Sequence, residues 1–335
     1  MFNNKTGTLS IVLILLVLLN YSLYADNILT IDNTAQDPYF HKIVYRNYRT
    51  GAINAKGEAY QNFKAKTFKI WHQQICWDAI VTGVGKNNES DIKAGINSIE
   101  YSFGRMKPDG SFADSTEAGS IRFLLALGKS YYEVENSRFE KEYLPRLDAL
   151  SSKIKKAAFY VLNSSKWKKE LELIEDYCNQ MIGTGLMFKL MGTIIKDKKL
   201  IDYGHNLFYK GIEKQTKQGV FPEKGGYDSS YQAVSLMFIQ FHYYYLAGEN
   251  EKRSLLKIME KGWEWELGRI KNSGEIIVKG NTRTGLKQEK WRGKFKDVNY
   301  PEVSMSLLYW AHIKNDQKLR ELANRVFKYA VKKKK

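Results

Sequence analysis

Apolar residues recur at three- and four-residue spacing through ten segments: 59–83, 89–104, 116–132, 138–162, 167–191, 197–214, 228–247, 251–270, 301–313 and 316–331. That period marks helices with one buried stripe. Loops rich in Gly, Asp, Asn and Lys join them. Only Gly274 to Lys279, with its run Ile276-Ile277-Val278, reads as a short strand. Long helices alternating with loops, without a strict repeat, predict an all-α fold of helical hairpins closed into an α/α toroid, with an irregular helical bundle as the alternative.

The chain begins with a different pattern. Lys5 precedes an apolar run from Ile11 to Leu19, and Leu23-Tyr24-Ala25 ends on a small residue before Asp26. This predicts a signal peptide over 1–25 and a single domain over 26–335 with a basic C-terminal tail. A membrane span needs about 20 apolar residues, so the run is short for one; an uncleaved anchor is the alternative. Either reading places the rest outside the cytoplasm, in the periplasm or secreted, without stable membrane insertion once the signal is removed.

Charge narrows the partner. A formal net charge of +17, only part of it in Lys332 to Lys335, suits a polyanion. No RNA-binding signature or zinc-finger spacing supports nucleic acid. An acidic glycan is the expected partner, and the aromatic content (22 Tyr, 16 Phe and 7 Trp) is enough to line a sugar cleft after a core is filled. Trp71, Trp77, Trp263 and Trp265 read as core, whereas Trp291 lies in a Gly- and Lys-rich loop with no helical stripe to join. Cys76 and Cys178 fit no metal spacing; they pair or stay as buried thiols. No metal or cofactor is expected.

Three constellations carry candidate chemistry. In Lys107-Pro-Asp-Gly-Ser-Phe112, Asp109-Gly110 forms a turn, and Asp114 or Ser115 caps the next helix. The functional alternative makes this turn a lip of a sugar cleft, with Phe112 stacking and Asp114 and Glu117 as polar contacts. In Tyr177-Cys-Asn-Gln180, two consecutive amides, Asn179 and Gln180, sit in an apolar helix where an unpaired amide is costly. They cut a polar site or bond helix ends.

The third is Gly219 to Leu236. Gly225 and Gly226 permit a tight loop, and Asp228, Ser229 and Ser230 offer caps to the helix that follows. Glu223, Lys224, Tyr227, Asp228 and Tyr231 concentrate ionisable groups there, and a phenol beside Lys224 is placed to have its pKa lowered. His242 follows Tyr231 by three helical turns on nearly the same face and is a second candidate base.

An Asn-polar pair within a helix followed by a Gly-Gly-Tyr loop resembles the α/α-toroid polysaccharide lyases, the alginate lyase and heparinase-like families. The Asp109-Gly-Ser-Phe112 turn is also similar to one in hyaluronate and chondroitin lyases. The resemblance implies β-elimination at a uronate: Asn179, with Gln180, neutralises the carboxylate, and Tyr231 or Tyr227 moves the protons. Lys224, Arg283, Lys287, Arg292 and Lys294 would be subsite cations, with Glu223, Asp228 and Trp291 in the binding region. Gln180 stands where the family has histidine, and glutamine cannot take a proton. The alternatives are a glycoside hydrolase using two of Asp109, Asp114, Glu117, Glu223 and Asp228, and a non-catalytic protein that binds an acidic envelope glycan.

Overall fold

The computed structural model describes residues 34, 36–46, 48–59, 68–112, 116–291 and 293–333. The proposed signal segment, Asp114, Ser115 and Arg292 lie outside them. The described residues are all-α in class, with 13 α-helices and one two-stranded hairpin. In chain order these are α1 (Pro38–Ile43), α2 (Ile75–Lys86), α3 (Glu89–Gly104), α4 (Glu117–Glu135), α5 (Glu140–Asp148), α6 (Ser151–Asn163) and α7 (Ser165–Leu173). Then come α8 (Cys178–Ile194), α9 (Lys198–Ile212), α10 (Ser229–Tyr245), α11 (Glu249–Leu267), β1 (Lys290–Trp291), β2 (Lys294–Phe295), α12 (Tyr300–Ile313) and α13 (Gln317–Lys333).

Five helices carry the packing. α2 packs on α4, α4 on α8, α8 on α10 and α10 on α12. Each is also backed by a neighbour in sequence: α3, the α5–α6 pair, α9, α11 and α13 respectively. The division follows from composition. α8, α10 and α12 bury residues on nearly every face, whereas α9 and α13 bury a single stripe, as expected of helices covered on all sides or on one. Within the α8–α9 hairpin, a Cβ on Gly185 would lie 2.4 Å from the Phe208 backbone nitrogen, and one on Gly204 would lie 2.5 Å from that of Lys189. Only glycine lets the two helices approach this closely.

Four of the five helices meet through side chains. The Lys129 ammonium of α4 lies 3.4 Å from the Trp77 ring of α2 and 4.7 Å from the Phe241 ring of α10. Phe241 in turn contacts Tyr309 of α12 edge-on at 5.4 Å. One continuous core runs from Phe40 to Ala330.

The structure corrects four of the predicted elements. Among the described residues the segment 59–83 becomes helical at Ile70, where a 3-10 turn over Ile70–Gln74 leads into α2, and Ala59 makes an isolated bridge to Ile53. The segment 138–162 is two helices broken at Ala149-Leu150, where the Leu150 N–H bonds to the Leu147 carbonyl at 3.0 Å. Leu147, Leu150, Ile154 and Val161 are all buried across the break, so the apolar period runs through it unseen. The segment 167–191 breaks at a 3-10 turn, Ile174–Asp176, followed by a non-helical Tyr177 that bridges Glu223. Pairing with a distant loop overrides the local helical pattern there. The strand expected at Gly274 to Lys279 is absent. Ile276 makes only an isolated bridge to Ile270, and the carbonyls of Ile277 and Lys279 accept from the Arg269 guanidinium at 2.6 and 2.8 Å instead of from a strand. The strand pair forms at β1–β2, with Trp291 opposite Lys294.

Candidate functional site

The loop before α10 is built by Asp228. Its carboxylate accepts from the Ser230 and Tyr231 amides at 3.0 and 3.4 Å, capping α10. It also accepts from the Arg283 and Thr284 amides at 3.0 and 2.7 Å and from the Thr284 hydroxyl at 2.9 Å. Burial pushes its pKa up while these hydrogen bonds pull it back. At 1% exposure Asp228 cannot reach a sugar. It fastens residues 283–284 to the start of α10, which corrects its expected role as a substrate contact.

That fastening brings Arg283 onto Tyr231. The guanidinium lies 3.9 Å from the Tyr231 ring centre and 5.1 Å from that of Tyr177. It donates through Nε to Glu289 Oε2 at 2.7 Å and pairs through Nη1 with Glu223 Oε1. Glu223, 2% exposed, is pushed up to about 7 by burial against the pull of this arginine. It is the buried partner of Arg283 and no substrate contact, a second correction. Lys296 completes the group: its ammonium donates to the Tyr231 hydroxyl at 3.2 Å and pairs with Glu289. The hydrogen bond from Arg283 first, then that from Lys296, holds Glu289 down at about 2.

Tyr231 is therefore a half-buried phenol between two cations. Burial raises its pKa, and Arg283 and Lys296 act in the opposite direction. Neither cation is Lys224, which is exposed with a backbone φ of 54° and donates its amide to the Asp176 carbonyl at 2.8 Å. Tyr227 turns away from this network. Its hydroxyl donates to the Lys279 carbonyl at 3.2 Å, and its ring packs on Trp265 and under Arg269. The expected pairing of a loop phenol with Lys224 is thus replaced by Tyr227 on Arg269 and Tyr231 on Arg283 and Lys296.

At the start of α8, Asn179 is 8% exposed and its Oδ1 has no hydrogen-bond partner, whereas Gln180 is exposed. Tyr177, two residues earlier, touches the same Arg283 that covers Tyr231. The amide helix and the phenol helix thus share one arginine.

Other candidates are displaced. His242 is fully buried far along α10, its Nε2 2.8 Å from Glu251 Oε1 and 3.2 Å from Lys189 Nζ. Burial lowers its pKa against the opposing hydrogen bond to Glu251. It is a packing histidine and no second base. Phe112 is 1% exposed, wedged edge-on against Phe123 and tilted on Phe103, so it offers no face to a sugar. The helix after it is capped by Thr116, whose hydroxyl accepts from the Gly119 amide at 3.2 Å. Lys287 and Lys294 are exposed, and Trp291 lies in β1. Cys76 and Cys178 are free buried thiols, each pushed up to about 12 by burial. Among the described residues no cluster of His, Cys, Asp or Glu is grouped to hold a metal, and no helix is long and apolar enough to cross a membrane.

Sequence reasoning missed Glu289 and Lys296. The strand register pairs them: with Trp291 opposite Lys294, Glu289 and Lys296 fall opposite each other, and the Lys296 amide donates to the Glu289 carbonyl at 2.8 Å. Comparison of the chain with protein-family models, curated proteins and solved structures finds no match.

Proposed function

We propose that the chain is an exported polysaccharide lyase that cleaves a uronate-containing glycan by β-elimination, with its five central helices and their backing helices forming an α/α toroid. The observation that carries this reading is the Tyr231 hydroxyl held 3.2 Å from Lys296 Nζ beneath the Arg283 guanidinium. A phenol is a useful base only when its anion is stabilised; two fixed cations act in that direction here, against a burial that still leaves the pKa raised.

In the proposed reaction the Tyr231 proton leaves to solvent on the alkaline side, since burial holds the phenol pKa above its ordinary value and Arg283 and Lys296 only limit that rise. The phenolate then takes the C5 proton of the uronate. The electron pair of the broken C–H bond forms the C4–C5 double bond as the C4–O4 bond breaks. The departing O4 receives the proton from Tyr231, which regenerates the phenolate. Asn179 is assigned to the substrate carboxylate through its Nδ2 donor; its unpaired Oδ1 is an acceptor and is left to a substrate hydroxyl. Gln180, exposed on the first turn of α8, is assigned an outer contact. No histidine is required.

A second reading, a glycoside hydrolase, is favoured by one observation: Asp109 and Glu117 line a cleft of about 540 Å3 with Phe159 and Tyr160. Burial raises the Glu117 pKa, but its hydrogen bonds, including those from Ser164 and Lys166, outweigh burial and keep it low. That suits a carboxylate base more than an acid. Incubating the purified protein with alginate, glucuronan, hyaluronan and heparin while following near-ultraviolet absorbance tests the proposal. An elimination product absorbs; a hydrolysis product appears only as new reducing ends.

A further inference from the structure

The turn from Lys107 to Phe112 is one of a repeated set. Gly57, Gly110, Gly219 and Gly274 all have positive φ, and a Cβ on each would lie 2.3, 2.6, 2.1 and 2.3 Å from a backbone carbonyl oxygen of a backing helix, that of Asn97, Lys156, Lys261 and Arg325 respectively. Two residues further on, Ala59, Phe112, Phe221 and Ile276 are buried. The turn is thus a fastening that recurs along the fold. What does not recur is the cleft beside Gly110. Among the described residues, α6 is the backing helix that is followed by a further helix, α7, before the next central one. The α6–α7 junction stands beside the Asp109 turn and the start of α4, and together they enclose about 540 Å3. That volume is in the range of small-molecule sites, about 300 to 1,000 Å3.

The lining sets the ligand chemistry. Asp109 and Glu117 face Lys156 and Lys166 there, so the charges balance and none is left over to recruit an ion. The carboxylates are also engaged within the fold. Glu117, 6% exposed, pairs with Lys166 at 3.2 Å and accepts from the Ser164 hydroxyl at 2.9 Å. Asp109 accepts from the Ser111 hydroxyl at 2.7 Å and the Ser111 amide at 2.9 Å. The uncharged groups are the open ones: the Tyr160 hydroxyl, the Asn163 amide and the Ser165 hydroxyl have no hydrogen-bond partner among the described residues. Tyr160 is half-buried, and Asn163 and Ser165 are exposed. A ring flanked by an amide and hydroxyls suits a sugar, whose apolar face packs on the ring while its hydroxyls both donate and accept.

We propose that this cleft is a separate, non-catalytic binding site for neutral sugar residues, with Tyr160 as the stacking surface and Asn163 and Ser165 as hydroxyl contacts. Such binding needs neither Tyr231 nor a uronate, so it stands apart from the elimination chemistry. Hydrolysis in the cleft would need one carboxyl that keeps its proton. The Ser111 hydroxyl, then the Ser111 amide, holds Asp109 below its ordinary value, and hydrogen bonds outweigh burial to keep Glu117 low as well. Both are carboxylates at neutral pH and neither is a proton donor.

Calorimetric titration of the purified protein with cellotetraose, xylotetraose, mannotetraose and N-acetylchitotetraose tests this. At least one of these neutral probes is expected to bind. Asn163→Ala, at an exposed position that leaves the fold intact, and Tyr160→Phe, which removes only a hydroxyl, should each weaken that binding about fivefold, the scale of one lost hydrogen bond. Tyr160→Ala should weaken it further by removing the ring. The site is overturned if no neutral probe binds, or if binding is undiminished in Asn163→Ala, Tyr160→Phe and Tyr160→Ala alike. It is also overturned if the bound probe is cut to new reducing ends and Glu117→Gln stops the cutting, because the cleft is then a hydrolase centre. Tyr231→Phe should bind the probe as tightly as the native protein. Neutral-sugar binding without elimination of any acidic polymer leaves the cleft standing and removes the lyase; elimination without neutral-sugar binding does the reverse.

Discussion

The Arg283 guanidinium lies 3.9 Å over the ring of Tyr231 while its Nη1 pairs with the buried Glu223. One side chain thus joins a structural ion pair to the proposed proton-transfer group. Tyr231→Phe keeps the ring under the guanidinium and removes only the hydroxyl. Elimination should fall by about 10²- to 10⁴-fold with Tm nearly unchanged. Steady-state rates and a thermal melt on one preparation check both halves, and activity that survives the substitution sinks the phenol mechanism.

Arg283→Met should act on the fold first. It strands Glu223 in the interior and takes one partner from Glu289, and breaking a buried pair costs about 3 to 5 kcal/mol. Urea unfolding should show that loss. Glu223→Gln, which keeps a hydrogen-bonding side chain of similar shape, should lose less.

Asp228→Ala removes the cap of α10 and the acceptor for the Arg283 and Thr284 amides. Loss of the cap alone costs about 1 kcal/mol, and the buried amides left without a partner add about 1 to 3 kcal/mol. Activity should disappear together with stability, because residues 283–284 are no longer held against Tyr231. Full activity at normal Tm would show that the fastening is dispensable.

Lys296→Met has a distinct signature in pH. Burial raises the Tyr231 pKa and Lys296 opposes that rise. Removing the ammonium should move the alkaline-rising limb of the rate profile to higher pH. An unshifted limb would assign that limb to another group.

Stability should respond to pH at two ends. Glu289 is ordinarily near 4.5 and is held at about 2 in the folded protein, so its contribution is full above 4.5 and lost as pH falls toward 2. Glu133, raised from 4.5 to about 7 by burial, behaves oppositely: the folded state holds a proton that the unfolded state releases. Its contribution is full below 4.5 and declines as pH rises through about 7. Urea midpoints measured against pH should lose part of the acid-side slope in Glu289→Gln, the rest belonging to groups such as Glu251, and part of the neutral-side slope in Glu133→Gln, the rest belonging to Glu223 and Asp78.

Much of the fold was legible in the residues because helix periodicity and capping are local. The segments 89–104, 197–214 and 228–247 appear as α3, α9 and α10 within a few residues at each end, and Asp228 caps as its position before Ser229-Ser230 implies. The all-α class follows from the same local rules. What adjacency cannot convey is who faces whom across the packed helices. Arg283 meets Glu223 sixty positions away, and Lys296 meets Tyr231 at sixty-five, whereas Lys224, the sequence neighbour, stays in solvent. His242 lies on a promising face of the same helix as Tyr231, yet packing closes that end over it with Glu251 and Lys189. Periodicity places a side chain on a stripe; only the assembled helices decide whether that stripe meets a cation, a core or an open site.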